Sequence, residues 1–404
     1  MTESTRSATN RIDISGKTLD LDEFVTASQV QPPALTAPDQ VEQADASALA
    51  EVGVLLKEQD RSGTYVLRDF NPICVQAQVE GLELLPIAVA LEMYDWLHDY
   101  RWQAVPADLN EITRRSAADP APQGYFIRVK QGTKIPHPVQ AGLYMAHSGI
   151  AQTVQNVIIL EDDTELHLIT GCVTGRSVQH GVHFAISEAY IGQNATLTNT
   201  MVHSWGPQVT VRPHAGTVVE AGGAFISNYV SLRPVGDILS RPKTWLNGEG
   251  ASAKYLTIIL GAAGSEIDTG GEVYLNALDT SAEITHRGVC TGGHMYQGGL
   301  LIGNAECRGH VDCSGLLLNP GKEGFIVSVP GIKALHPEAQ MSHEASIGKI
   351  APEQVEYLQS RGIEEREAIS MIVRGFLEAD IEGLGAELDA QIAEIAELAG
   401  QAEG

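Results

Sequence analysis

Between residues 125 and 342, short stretches of β-type sequence alternate with small or polar turns. Ala195, Leu197, Asn199, Met201, His203 and Trp205 interleave with Thr196, Thr198, Thr200, Val202 and Ser204. That period of two, rich in β-branched side chains, is the pattern of a strand. Shorter runs of the same kind cover 165–169, 225–232, 254–260, 272–278 and 324–329. The turn candidates are Asp163-Thr164, Gly222-Gly223, Gly264-Ser265, Ser281-Ala282, Asn304-Ala305 and Gly321-Lys322. From Gly264 onward they recur at roughly 20 residues, which suggests a β-solenoid, one coil stacked on the last. An antiparallel sandwich or barrel uses the same short strands and turns and stays open as the alternative.

Composition divides the chain in the same places. Residues 125–342 hold 29 of the 41 glycines, 11 of the 13 histidines and four of the five cysteines, with a net charge of −4. The flanks, 1–124 and 343–404, carry −11 and −10. A break this sharp predicts three regions: a mixed N-terminal part (1–124), a β core (125–342) and a helical C-terminal part (343–404). The total charge of −25 argues against a nucleic-acid partner, because no positive field is present to release counterions. The N-terminus is polar, and no run reaches the roughly 18 apolar residues of a membrane span. The expectation is a cytoplasmic chain whose thiols are free, metal-bound or buried.

The C-terminal part reads as helices. Pro352 suits the first turn of one ending near Arg361, and Gly362 suits the position just past it. A second covers 364–378 with an apolar stripe of Ile369, Ile372, Val373 and Phe376, and a third covers 384–398 with Leu388, Ile392, Ile395 and Leu398. Such stripes pack on their own domain or enter a groove on a partner. In the N-terminal part, Pro32, Pro33 and Pro38 mark a linker, 46–57 is a helix candidate, 82–96 a buried helix candidate, and 119–123 closes the region.

Cys290, Cys307 and Cys313 fall within 24 residues. Cys307 and Cys313 are six apart and share a face of any strand. Cys290 lies 23 residues before Cys313, about one coil of a 20-residue solenoid, so all three are expected to converge. Thiolates meeting at one site favour iron–sulfur or zinc over calcium or magnesium. With no CxxC present, each cysteine also fits a small buried hydrophobe. His286, His294 and His310, and likewise His180 and His183, read as polar strand residues rather than ligands. No phosphate-binding GxxxxGK[ST] occurs: Gly16-Lys17-Thr18 lacks the upstream glycine, and Gly348-Lys349 is followed by Ile350. GxSxG and zincin patterns are absent too.

Residues 341–378, MSHEASIGKIAPEQVEYLQSRGIEEREAISMIVRGFLE, resemble the C-terminal signature of the SufB/SufD family. CSGLLLNPG from Cys313 is similar to that family's Cys-Asp-Ser-Leu-Leu-Leu segment. LEDDTELHLITGCVTG resembles its acidic turn, strand and Glu-Gly-Cys, and SGTYVLRDFN a recurring N-terminal phrase. At 404 residues the chain looks most like the compact archaeal-type SufB that works without a separate SufD.

That resemblance implies a scaffold for iron–sulfur cluster assembly, with a right-handed parallel β-helix core and a helical terminal domain docking the ABC-type ATPase SufC. ATP would act only through that partner, and the chain itself would not be an enzyme. Cys313 matches the cysteine implicated in cluster assembly, His343 and Glu344 the family's His-Glu pair, and Cys172 the cysteine implicated in accepting sulfur. Thr170 departs from the family by replacing the glutamate before Gly171, which puts persulfide transfer to Cys172 in doubt and leaves free sulfide as a source. Cys290 and Cys307 have no family counterpart and come from spacing alone. Three thiolates plus Glu344 or His343 would complete four ligands for a [4Fe–4S] cluster, although His343-Glu344 also fits a helix start with a dipole-favoured acid. Tyr357, Arg361, Ile369, Ile372, Val373 and Phe376 become the docking candidates. Partners are the SufC-like ATPase, a second copy in a 2:2 complex, and recipient apoproteins; an open solenoid end must be capped or paired. Two other readings stand beside it: a β-helical zinc lyase or hydratase using His180, His183 and His203, and a metal-free, SufD-like structural partner.

Overall fold

The computed structural model describes residues 11–14, 17–26, 35–57, 60–318 and 323–377, together with 381, 384, 389–395 and 397. The N-terminal part supplies β1 (Arg11–Ile14), β2 (Lys17–Asp20), α1 (Gln43–Ala50), β3 (Gly63–Arg68), β4 (Asn71–Ala77), β5 (Leu82–Pro86), α2 (Ile87–Met93) and α3 (Glu111–Ala117). There follow β6 (Tyr125–Val129), β7 (Val139–Met145), β8 (Ile150–Leu160), β9 (Glu165–Thr174), β10 (Gly181–Ile191), β11 (Thr196–Ser204), β12 (Val209–Val219) and β13 (Ala224–Ser231). The later strands are β14 (Asp237–Ser240), β15 (Lys243–Leu246), β16 (Ser252–Gly261), β17 (Glu266–Leu275), β18 (Thr280–Cys290) and β19 (His294–Gly303). β20 (Cys307–Leu317), β21 (Phe325–Ala334) and β22 (Ala339–Gly348) complete the strands, and α4 (Pro352–Ser360) and α5 (Glu365–Leu377) come last.

Each coil gives one strand to each of two sheets. One sheet runs from β5 and β6 through the even-numbered strands β8 to β14, with β15, and on through β17, β19 and β21; the other runs from β4, β3 and β7 to β22. From β6 and β7 onward every ladder is parallel, which makes a parallel β-solenoid of about eight turns. The sandwich alternative is thereby excluded.

The coil is longer than the turn spacing suggested. Cys307 pairs with Thr280 and with Ala339, so successive coils take 27 and 32 residues. Each coil has two corners, and the sequence turns mix them: Gly264-Ser265 lies at one corner and Asn304-Ala305 at the other. Ser281-Ala282 is no turn and sits inside β18, while Gly321-Lys322 lies outside the described residues. One corner is marked by a column of left-handed residues, Gly132, Asp163, Asn194, Gly222, Gly250 and Asp279, with φ between 54° and 73°. Only Gly, Asn and Asp take that conformation cheaply. Their amides climb the stack, Asp163 to the Gln193 carbonyl and Asn194 to that of Ala221, for example, at 2.8 and 2.9 Å.

Inner-facing side chains fill the solenoid with one apolar core. A second core lies outside the second sheet, where Ile169, Val202, Val230, Ile258, Val289 and Leu316 line up and are covered by Leu49, Val52 and Val54 and by α5. Three boundaries differ from expectation. The 82–96 stretch is a strand ended at Pro86, then α2 and a 3₁₀ turn. The 46–57 helix is α1, which stops at Ala50 before Gly53 at φ 77°. The β core runs on to Gly348, so His343-Glu344 lies within β22 rather than at a helix start. Leu388, Leu398, Pro32 and Pro33 lie outside the described residues, whereas Ile392 and Ile395 are buried in the second core. No helix among the described residues is long and apolar enough to cross a membrane.

Candidate functional site

The two sheets enclose a cavity that runs inside the solenoid from Cys172 to His286, with His183, His203, Tyr229 and Thr269 among its walls. Strand alternation puts Thr170 and Cys172 of β9 on this inner face, and Cys172 stands beside His203 in register. His203 Nδ1 lies 2.9 Å from the Tyr229 hydroxyl. His183 Nδ1 lies 2.9 Å from Gln152 Oε1, while Gln152 Nε2 donates to the Asp69 carbonyl. That donation leaves Oε1 as the acceptor, so His183 carries its proton on Nδ1. Burial holds His183, His203 and His286 neutral, their pKa lowered to about 3. The one acid on the wall, Glu188, turns its carboxylate outward to accept the amides of Trp102, Ala104 and Val105. Among the described lining residues the cavity is therefore uncharged. Burial also pushes the Cys172 thiol up, and Thr170, in place of a carboxylate, lies 3.5 Å from the Tyr125 hydroxyl.

The other cysteines stand near the C-terminal end of the solenoid. Cys307 and Cys313 face inward on β20, about 20 Å apart at the rise of an extended strand. Cys290 ends β18, opposite Leu317, while Cys313 lies opposite His286. Cys290 and Cys313 are thus a coil apart and about 13 Å apart along the strand direction. All five thiols are free and buried, but the expected convergence of three does not occur within the chain. A coil of 27 residues instead of 20 puts Cys290 past Cys313 rather than beside it. Among the described residues, no group of three or more His, Cys, Asp and Glu is placed to hold a metal ion. Burial pushes the Cys313 thiol up to about 12 and raises those of Cys290 and Cys307.

His343 and Glu344, adjacent in sequence, take opposite faces of β22. His343 pairs with the core residue Val311 and shares the inner face with Cys313, one diagonal step away; Glu344 pairs with outward Asp312. Glu344 Oε1 lies 3.4 Å from His310 Nε2, and His310 Nδ1 is 2.8 Å from Ser342 Oγ. His286, read from sequence as merely polar, is buried on the inner wall beside Cys313. Gln152 and Gln297, both buried inward, were not singled out; knowing which glutamines face inward would have found them. His180 sits on a corner loop against Phe24, and His294 stacks on Phe325 beside Glu266.

The docking candidates divide as well. Ile369 and Val373 are 2% and 0% exposed in the second core, and Ile372 and Phe376 pack against it. Ile369 and Val373 are thus packed inside the chain, a correction to their expected partner role, while Ile372 and Phe376 stay half-buried at the margin of that core. Tyr357 is 58% exposed, with the Arg361 guanidinium 5.2 Å over its ring.

Fold and site together define a parallel β-solenoid with an uncharged, thiol- and imidazole-lined interior, ended among the described residues by β21 and β22 as the outermost strands. The SufBD core domain of the SUF system of iron–sulfur cluster assembly matches residues 143–376, and the chain belongs to that family. An iron–sulfur cluster assembly SufBD family protein of Methanothermobacter thermautotrophicus is 39% identical over 381 residues, covering 93% of this chain and 92% of that protein. One from Archaeoglobus fulgidus is 40% identical over 356 residues, covering 88% and 95%. The iron–sulfur cluster assembly protein SufB of Bacillus subtilis is 28% identical over 261 residues, 63% of this chain and 55% of that protein.

Proposed function

We propose that the chain is a scaffold on which [4Fe–4S] clusters are built at the β21–β22 end of the solenoid and passed to apoproteins. The observation that carries this reading is the placement of Cys313 and His343 on one inner face of neighbouring strands, at the outermost strand among the described residues. Thiolate and imidazole both suit iron, and imidazole is the more readily exchanged, which leaves a corner for transfer. A second copy supplies the remaining ligands by pairing its own β21 and β22 edge, each copy adding Cys313 and His343. Sulfur enters as sulfide: the Cys172 thiol is held protonated with no carboxylate beside it, a poor start for nucleophilic capture of persulfide. The cavity leads from Cys172 to the wall beside Cys313. ATP hydrolysis belongs to a SufC-like ATPase that docks on the face carrying Tyr357 and Arg361, and the complex works in the cytoplasm.

Anaerobic reconstitution with ferrous iron and sulfide, read by Mössbauer spectroscopy and iron and sulfide counts, tests the scaffold. Wild type is expected to hold a cluster, Cys313→Ser none, and Cys290→Ser and Cys307→Ser most of it. A full complement of iron on Cys313→Ser would refute the placement.

A further inference from the structure

We propose that the inner wall beside Cys313 binds a single divalent transition-metal ion through His286 Nδ1, Gln297 Oε1 and Cys313 Sγ, a loading site that takes ferrous iron before sulfide arrives. This site rests on the reading of Cys313 as an iron ligand and adds two donors to it. His286, Gln297 and Cys313 are 1%, 2% and 0% exposed. Neither His286 Nδ1 nor Gln297 Oε1 has a hydrogen-bond partner. Buried polar atoms are almost always paired, and leaving one unpaired costs free energy; a cation supplies what both acceptors lack.

The three donors come together through the register. His286 and Cys313 are direct partners on β18 and β20, about 4.8 Å apart across a parallel ladder, close enough for both side chains to reach one ion. Gln297 arrives from the facing sheet, in a column with Thr269 and Ser328. Its Nε2 donates to Ser328 Oγ at 2.7 Å, which fixes the amide and leaves Oε1 free. That oxygen lies over Gly288, where a Cβ would come within 2.3 Å of it, and Gly288 is two residues on from His286 along the same inner face. Burial dominates the ring's environment and disfavours its charged form, and the Gln297 amide, within hydrogen-bonding reach of the ring, opposes this, so the two acceptors face one another across the point where an ion would sit. On the far side, His286 Nε2 lies 3.0 Å from Thr269 Oγ1. With the proton on Nε2 and donated to Thr269, Nδ1 keeps its lone pair, the arrangement in which metal-bound imidazoles are usually held. One nitrogen, one amide oxygen and one sulfur suit iron(II), cobalt(II) or zinc(II) rather than magnesium or calcium. The Cys313 proton leaves to solvent as the sulfur–metal bond forms.

The test is titration of the anaerobic full chain with cobalt(II) alone, since without sulfide no cluster can form. One cobalt per chain is expected, with a thiolate-to-cobalt charge-transfer band and imidazole ¹⁴N modulation in electron spin-echo spectra. His286→Asn, which keeps a polar side chain, should lose the modulation and at least tenfold in affinity. Thr269→Val should keep the modulation and bind roughly 10- to 100-fold more weakly, the usual effect of losing a partner behind a ligand. Cys313→Ser should lose the charge-transfer band. Absence of a stoichiometric site in wild type, or a thiolate band without nitrogen, overturns the inference, and neither outcome depends on a variant folding. Nitrogen modulation that survives in His286→Asn overturns it too. A wild type that assembles a cluster from iron and sulfide but shows no cobalt site leaves the scaffold standing and removes this site alone; one that does neither removes both.

Discussion

Three histidines, His183, His203 and His286, are locked neutral inside the solenoid, and this sets an acid limit on the fold. Their folded pKa is lowered to about 3 from an ordinary 6.5. The unfolded chain therefore takes up protons that the folded chain refuses. Stability is fully present above about pH 6.5 and is lost as the pH falls toward 3, with a slope of up to about 1.4 kcal/mol per pH unit for each histidine. Urea midpoints measured between pH 7.5 and 5 should be flat at first and then decline, before carboxylates begin to titrate. A midpoint unchanged down to pH 5 would contradict the buried, neutral assignment. The same scale shows how adjacency misleads: His343 and Glu344 look like one ligand pair in sequence, but period-two alternation sends them to opposite faces.

At the scale of the element, the apolar stripe of α5 is a packing device. Ile369 and Val373 close the second core over Ile258, Val289 and Leu316. Ile369→Ala should cost about 2–4 kcal/mol, read from urea unfolding, because a cavity opens in a packed layer. Tyr357→Ala, at an exposed position of α4, should leave stability within about 0.5 kcal/mol and reduce co-purification with a SufC-like ATPase. If Ile369→Ala left stability untouched and abolished ATPase capture, the stripe would be a docking face after all. The bounds of α4 were readable, since Pro352 occupies its first turn and Gly362 follows at φ 89°. The direction its neighbour's stripe faces was not readable, because amphipathicity names a buried side without naming what covers it.

The two ends of the whole molecule are unlike. At the N-terminal end the sheets finish in antiparallel pairs, β3 with β4 and β5 with β6. At the other end β21 and β22 are outermost in their sheets and carry exposed Phe325, Val327, Val329, Ile332 and Ile347. An edge of this kind tends to pair with another chain; Pro330 and Lys333 interrupt it in β21, and β22 runs without proline from Ala339 to Gly348. The chain is therefore expected to be a dimer by light scattering at micromolar concentration. Val329→Lys combined with Ile347→Lys should convert it to a folded monomer that no longer assembles a cluster. A monomeric wild type, or a double variant that remains dimeric, would rule out pairing through this edge.

By itself the sequence determined the local grammar of this protein. The Ala195–Trp205 alternation is β11 within a residue at each end, the glycine-rich middle is the solenoid, and the 341–378 segment carried the family. These are readable because strand period, turn chemistry and helix ends depend on neighbours in the chain. Only the tertiary structure decided the length of a coil, hence that Cys313 stands beside His286 and not Cys290. Register accumulates over two corners per coil, and the corner loops vary in length, so a few residues' difference moves a thiol some 13 Å along its strand. The site follows from that register, which no spacing of cysteines in the sequence records.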